Sequence, residues 1–224
     1  MTRWLCACLH ELDLSSFEGL DDVRFVSSLV RLRTLDLRDC SEQLVDVSPL
    51  SSLTSLNALY LRNDYGRRGQ LVNVSPLSAL VALETLHLNG CVRLVDVSPL
   101  STLISLTSLD LSCCRQLSDV SPLSSLISLS SLNLSLCQHL SDVSHLSTLT
   151  SLTSLDLSMC GRLSNVSPLS SLISLTSLSL YFCLQLSDVS PLSTLTSLTS
   201  LSLQHCHQVN VSALTSLSQL TILR

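Results

Sequence analysis

The sequence predicts an α/β repeat solenoid: one arched domain over 1–224, with a parallel β-sheet on its concave face and short 3₁₀ or helical turns on its convex face. Three observations predict it. Paired Leu-x-Leu units begin at Leu12, Leu35, Leu59, Leu86, Leu109, Leu132, Leu155, Leu178 and Leu201, with spacings of 23, 24 and 27 followed by 23 five times. About nine copies at a near-constant period mark a solenoid, in which each repeat buries its apolar side only against its neighbours. Within each copy, apolar residues first alternate and then fall three apart, so a strand is followed by a tight turn.

Leu106–Ser128, LTSLDLSCCRQLSDVSPLSSLIS, serves as the type repeat. The alternation at Leu109 and Leu111 suits a short strand with one buried side. Val120, Leu123 and Leu126 stand three apart, which fits a 3₁₀ or single helical turn. Ser121-Pro122 reads as an N-cap followed by a first-turn proline. All six prolines (Pro49, Pro76, Pro99, Pro122, Pro168, Pro191) occupy this one position, and Phe25, His145 and Ala213 replace them elsewhere. Leu106, Leu109, Leu111, Cys114, Leu117, Val120, Leu123 and Leu126 are the predicted core.

The LxxLxLxxCxxL pattern resembles the leucine-rich repeat family over nearly the whole chain. The SPL half is similar to the short repeats of internalins and of a phosphatase regulatory subunit, and the LxxC half to the cysteine-containing class. The resemblance implies an arc whose concave strand face binds a protein. Two kinds of protein follow from it: a cytoplasmic scaffold or regulator, the favoured expectation, or an adhesion or antigen protein at the cell surface. A third, the substrate-recognition part of a ubiquitin ligase, requires a further domain.

Departures from the period place the loops. One extra residue falls around Ser41–Gln43, and four fall in Asn63-Asp-Tyr-Gly-Arg-Arg-Gly-Gln70. There Gly66 and Gly69 bracket Arg67 and Arg68 as an exposed basic turn, either a tolerated insertion or a contact to an acidic partner. Trp4 and Leu5 are the only cover before the first repeat. Leu220 and Leu223 fall on the leucine positions of a tenth. The expectation is a fragment of a longer array, or ends covered by a partner or by end-to-end self-association.

Composition narrows the function. Net charge is −5, all twelve basic residues are Arg, and nine of these lie in the first 93 residues among Asp and Glu, which makes no nucleic-acid stripe. No apolar run reaches the ~18 residues of a membrane-spanning helix, and the start has no secretory apolar stretch. GxSxG, HExxH, P-loop and GxGxxG motifs are all missing, so neither an enzyme nor a cofactor is expected. Asn73, Asn133, Asn165 and Asn210 match N-x-S, which matters only for a secreted parent.

Seven of ten cysteines (Cys40, Cys91, Cys114, Cys137, Cys160, Cys183, Cys206) sit five residues after the first strand leucine. Stacked in register they form a ladder of side chains pointing the same way, suited to free thiols rather than disulfides or a metal site. Free thiols favour a reducing compartment. Cys6-x-Cys8 and the surface pair His205/His207 are weak metal signals.

Binding residues must come from positions the core does not use. Between the paired leucines stand Tyr60, Asp110 and Asp156 among others; two residues on stand Arg38, Arg62 and Tyr181. The next column holds Cys113, Leu136, Met159 and Phe182, an apolar ridge over four repeats that either anchors a partner or tucks against the following turn. Arg33, Arg38 and Arg62 near Asp36 and Asp39 form a mixed-charge patch, either a solvated face or an interface rim.

Overall fold

A computed structural model describes residues 8–15, 17, 19–20, 22–40, 44–62 and 70–224. Ten strands form one parallel sheet in sequence order: β1 (Glu11–Asp13), β2 (Thr34–Asp36), β3 (Ala58–Tyr60), β4 (Thr85–His87), β5 (Ser108–Asp110), β6 (Ser131–Asn133), β7 (Ser154–Asp156), β8 (Ser177–Ser179), β9 (Ser200–Ser202) and β10 (Thr221–Leu223). Every paired leucine meets its counterpart, as in Leu109↔Leu132↔Leu155. Five-residue 3₁₀ turns such as Ser98–Thr102 and Ser121–Ser125 line the opposite side. This is the leucine-rich repeat arc that the period predicts.

The predicted core of the type repeat is buried throughout, with no member more than 2% exposed. The same positions in neighbouring repeats merge into one continuous core running the length of the array. Burying a leucine is worth roughly 1.5–3 kcal/mol, and a lone repeat has nothing to bury it against.

The start of the convex turn differs from the sequence reading. Val120, not Ser121, is the N-cap residue, and no side chain caps it. Ser121 is already the first residue of the turn, and its N–H is accepted by Asp119 Oδ1 at 2.8 Å. Asp46, Asn73, Asp96, Asp142, Asn165, Asp188 and Asn210 repeat this contact at 2.8–2.9 Å. An Asx side chain two residues upstream therefore shapes each turn. The bond holds the carboxyls of Asp96, Asp119, Asp142 and Asp188 below the usual range.

Serine and threonine do more than fill exposed positions. On the convex side Thr102, Ser125, Thr148, Ser171 and Thr194 donate their hydroxyls to carbonyls of the preceding repeat (Ser78, Ser101, Ser124, Ser147, Ser170) at 2.8–3.0 Å. A second row precedes the strands, where Thr107, Ser130, Thr153, Thr176 and Thr199 donate to the carbonyls of Glu84, Thr107, Ser130, Thr153 and Thr176 at 2.9–3.1 Å. These bonds join repeat to repeat. On the convex side they satisfy carbonyls of the short turns; in the second row they add to carbonyls that already accept two backbone N–H groups, as Glu84 O does from Thr107 and Ser108.

The thiol ladder forms as the register implies. Cys114, Cys137, Cys160 and Cys183 are buried, and their Sγ–H groups donate to the carbonyls of Leu88, Leu111, Leu134 and Leu157 at 3.2–3.5 Å. Cys206 is only half-buried. All nine described cysteines are free thiols. Burial pushes Cys40 up to about 11 and Cys91 and Cys137 up to about 12, and raises Cys114, Cys160 and Cys183 as well.

The tenth repeat starts one residue earlier than the leucine count suggests. Ile222, not Leu223, pairs with Leu201. The ninth repeat has Val209-Asn210-Val211 where the eighth has Leu186-Ser187-Asp188-Val189, one residue fewer, which the leucine count already absorbs; a second residue is missing at the strand itself, where Leu220-Thr221-Ile222 stands against Leu198-Thr199-Ser200-Leu201. Leu223 is consequently 48% exposed.

Candidate protein-binding face

The concave face is built by the strands and the residues just after them. In β5, Leu109 points into the core, which leaves Ser108 and Asp110 half-buried on the open side. The ladder continues beyond the strand: Leu111 N–H donates to Asn133 O at 2.9 Å and Cys113 N–H to Ser135 O at 2.8 Å. The chain must then reverse so that Cys114 enters the core. It does so through a left-handed residue.

That residue is the ridge. Asp39, Cys113, Leu136, Met159, Phe182 and His205 all have φ between 55° and 64°, and Gly90 has φ 82° at the same position. Left-handed backbone disfavours any residue with a Cβ. Cys113, Leu136, Met159 and Phe182 are each half-buried. Each therefore shows one flank to solvent and rests the other on its surroundings.

Two ring clusters bracket the middle of the face. At the front, the Tyr60 and His87 rings meet edge to face at 4.9 Å, and the Arg38 guanidinium lies 5.4 Å from the Tyr60 centroid. Desolvation lowers the His87 pKa, and the nearby Asp110 charge opposes this. At the back, Tyr181 stands 5.9 Å from Phe182 and 5.4 Å from His205, with Phe182 and His205 5.5 Å apart. His205 and His207 line a shallow cavity with Cys206, Leu203, Val209, Val211 and Arg224.

The mixed-charge patch is partly committed to the protein itself. Arg38 grips Asp36 through Nε and Nη2, at 2.8 and 2.5 Å to Oδ2, and Asp36 is buried. Arg62 is half-buried, and its carbonyl accepts the Asp39 N–H at 3.0 Å. Arg33 is exposed at the opposite end of its strand. Arg67 and Arg68 lie outside the described residues.

Asp110 and Asp156 each have a structural duty. Asp110 Oδ1 accepts the Ser112 N–H at 2.8 Å, and Asp156 Oδ1 accepts the Ser158 N–H at 2.8 Å. Asn133 Oδ1 does the same for Ser135 at 2.9 Å. Among the described residues, none donates to the other carboxylate oxygen of either Asp.

The structure adds residues that sequence reasoning passed over. Asn89 is 8% exposed, and its Oδ1 is buried without a hydrogen-bond partner. His87 and His205 join the ring clusters. Their columns were legible, but ring contact between successive repeats follows only from the strand register. A row of exposed β-branched residues also runs between turn and strand: Val30, Val81, Ile104, Ile127 and Ile173, each 52–60% exposed. Among the described residues no group of three His, Cys, Asp or Glu is placed to hold a metal ion, and no helix is long and apolar enough to cross a membrane.

Fold and face together define a leucine-rich repeat arc that presents a strand face. A profile described as "Leucine Rich repeats (2 copies)" matches residues 81–125. Among solved structures, the chain is similar to internalin C2 of Listeria monocytogenes at 26% identity and a TM-score of 0.67, covering 95% of this chain and 80% of that one. It also shares its fold with a leucine-rich repeat protein of Leptospira interrogans, at 22% identity and a TM-score of 0.76. That match covers 99% of this chain and 56% of the other, so the chain spans about half of the Leptospira protein's length. No curated protein matches the sequence.

Proposed function

We propose that the chain is a protein-binding module that works at a cell surface or after secretion, engaging its partner along the concave face between the two ring clusters. The observation that carries this is the half-open row Leu136, Met159 and Phe182 with Tyr181 beside it, apolar and aromatic anchors on a face the core does not need. The likeness to internalin C2 supports a surface protein over a cytoplasmic regulator.

The thiol argument for a cytoplasmic location loses its force on physical grounds. Reactivity requires thiolate and access. Apart from half-buried Cys206, the ladder thiols are buried and held in the protonated form, so they are as inert outside a cell as inside it.

The test has two arms. Protease added to intact source cells should remove the full-length protein. The labelled chain should bind a protein from a panel of extracellular and surface proteins, and Tyr181→Ser with Phe182→Ser should abolish that binding while the variant keeps the native circular dichroism spectrum and a cooperative melt. Protection from protease would refute the location, and undiminished binding by the double variant would refute the face.

A further inference from the structure

The middle of the concave face has a charge pattern that selects a partner. Residues 107–113 and their equivalents in the next four repeats, through 199–205, contain two formal charges, Asp110 and Asp156, and no Lys or Arg. The two carboxylates align through Asn133. Two strand steps place them about 9.6 Å apart. Among the described residues the hydrogen bonds to each fall on Oδ1, and none reaches Oδ2. One repeat before Asp110, Asn89 Oδ1 is a buried acceptor with no donor, and Asn89 as a whole is more than nine-tenths buried. The half-buried Leu136 and Met159 flank the same row, and Tyr181 closes its far end.

Everything missing from this row is a hydrogen-bond donor with positive charge. We propose that it docks a basic, extended segment of the protein partner, with two Arg or Lys side chains three residues apart on Asp110 and Asp156. The inference rests on the protein-binding reading above and names the chemistry of that partner. In a polyproline II segment, residues i and i+3 point the same way and lie about 9.3 Å apart, close to the carboxylate spacing. In a fully extended strand, residues three apart point to opposite sides, so the polyproline form fits this row. Aliphatic stems of Arg or Lys would lie on Leu136 and Met159 while their heads reach the carboxylates. Arg38 and Arg62 stand after β2 and β3, at the front of the face, and set the limit of the acidic row.

The fold itself supplies the test substitution. Asn133 makes the same turn contact as its Asp neighbours, so Asp110→Asn with Asp156→Asn removes both charges and keeps both turns. The probe is fluorescein-labelled Arg-Pro-Pro-Arg-Pro-Pro-Arg, read by fluorescence polarisation. Controls are the Glu-for-Arg peptide and a peptide of the same composition with its three arginines contiguous. The native chain should bind the spaced arginine peptide, more weakly in 500 mM than in 50 mM NaCl, and the double Asn variant should bind it at least ten-fold more weakly at unchanged melting temperature. Equal binding by that variant, equal binding of either control, or no binding of the spaced peptide overturns the proposal. If the proposal fails while the Tyr181/Phe182 double variant still loses a surface partner, only the charge assignment falls and the protein-binding reading stands.

Discussion

Replacing Leu136 by Gly should destabilise the array less than replacing it by Ala, the reverse of the order expected in a strand or helix. Both substitutions remove a half-buried side chain, a loss of about 1 kcal/mol when full burial of Leu is worth ~1.5–3. They differ in backbone. Leu136 has φ 61°, and left-handed backbone costs a residue with a Cβ about 1–2 kcal/mol. Ala keeps that cost and Gly removes it. Glycine's extra freedom in the unfolded chain takes back about 0.5–1 kcal/mol, so Gly should exceed Ala by about 0.5–1 kcal/mol. Gly90 holds the equivalent position in the fourth repeat. Urea unfolding of the three proteins, followed by circular dichroism, gives the ranking native, then Gly, then Ala. An Ala variant as stable as the Gly variant would refute the claim that the ridge sits on strained backbone.

Three other outcomes follow from the same geometry. Asp119→Ala should lower stability by about 0.5–1 kcal/mol, the lower half of the net value of one hydrogen bond, whereas Asp119→Asn should be neutral in the same urea titration because Asn73 and Asn165 already make this contact. A thiol reagent at pH 8 should leave Cys40, Cys91, Cys114, Cys137, Cys160 and Cys183 unmodified in the folded protein, since burial holds them protonated, and should react with exposed Cys8; modification of the ladder at the rate of Cys8 would contradict the buried register. The pH dependence has two parts. Because the folded His87 pKa is lowered, the unfolded state takes up a proton first as pH falls, so stability should begin to fall below about pH 6.5. The depressed pKa values of Asp96, Asp119, Asp142 and Asp188 contribute stability present above about pH 4 and lost as pH falls through their folded values. A melting curve against pH checks both, and His87→Gln should flatten only the first.

The core was readable because the repeat writes it nine times: each of Leu106, Leu109, Leu111, Cys114, Leu117, Val120, Leu123 and Leu126 has the same role in its neighbours. What escaped depends on relations between repeats or on backbone geometry. Ser125 donating to Ser101 O links residues 24 apart, and no local rule announces it. Ser121 looked like a helix cap because side-chain capping is the familiar device at α-helix starts; a five-residue 3₁₀ turn instead uses Asp119, two residues earlier. The left-handed ridge was hidden because Leu, Met and Phe are poor residues for that conformation, and only Gly90 hinted at it. The shift from Leu223 to Ile222 comes from one residue missing between Leu220 and Ile222, which leucine counting hides because Leu223 keeps the usual spacing from Leu220.

These relations decide where the protein is free to vary. In the type repeat the leucines, Val120 and Cys114 fill the core, Asp119 and Ser121 shape the convex turn, and Thr107 and Ser125 tie neighbours together. Half-buried Ser108 and Asp110 stand on the open side of the strand. The Asp110–Asn133–Asp156 row shows how such a scaffold can change what it recognises: Asp and Asn support the same backbone contact, so charge can be added or removed along the strand face without altering the fold. Tyr60, His87 and Ser179 in the same column omit the contact altogether, yet β3, β4 and β8 keep their register. A face whose side chains can be exchanged at little cost to the sheet can be retuned for a new partner one residue at a time.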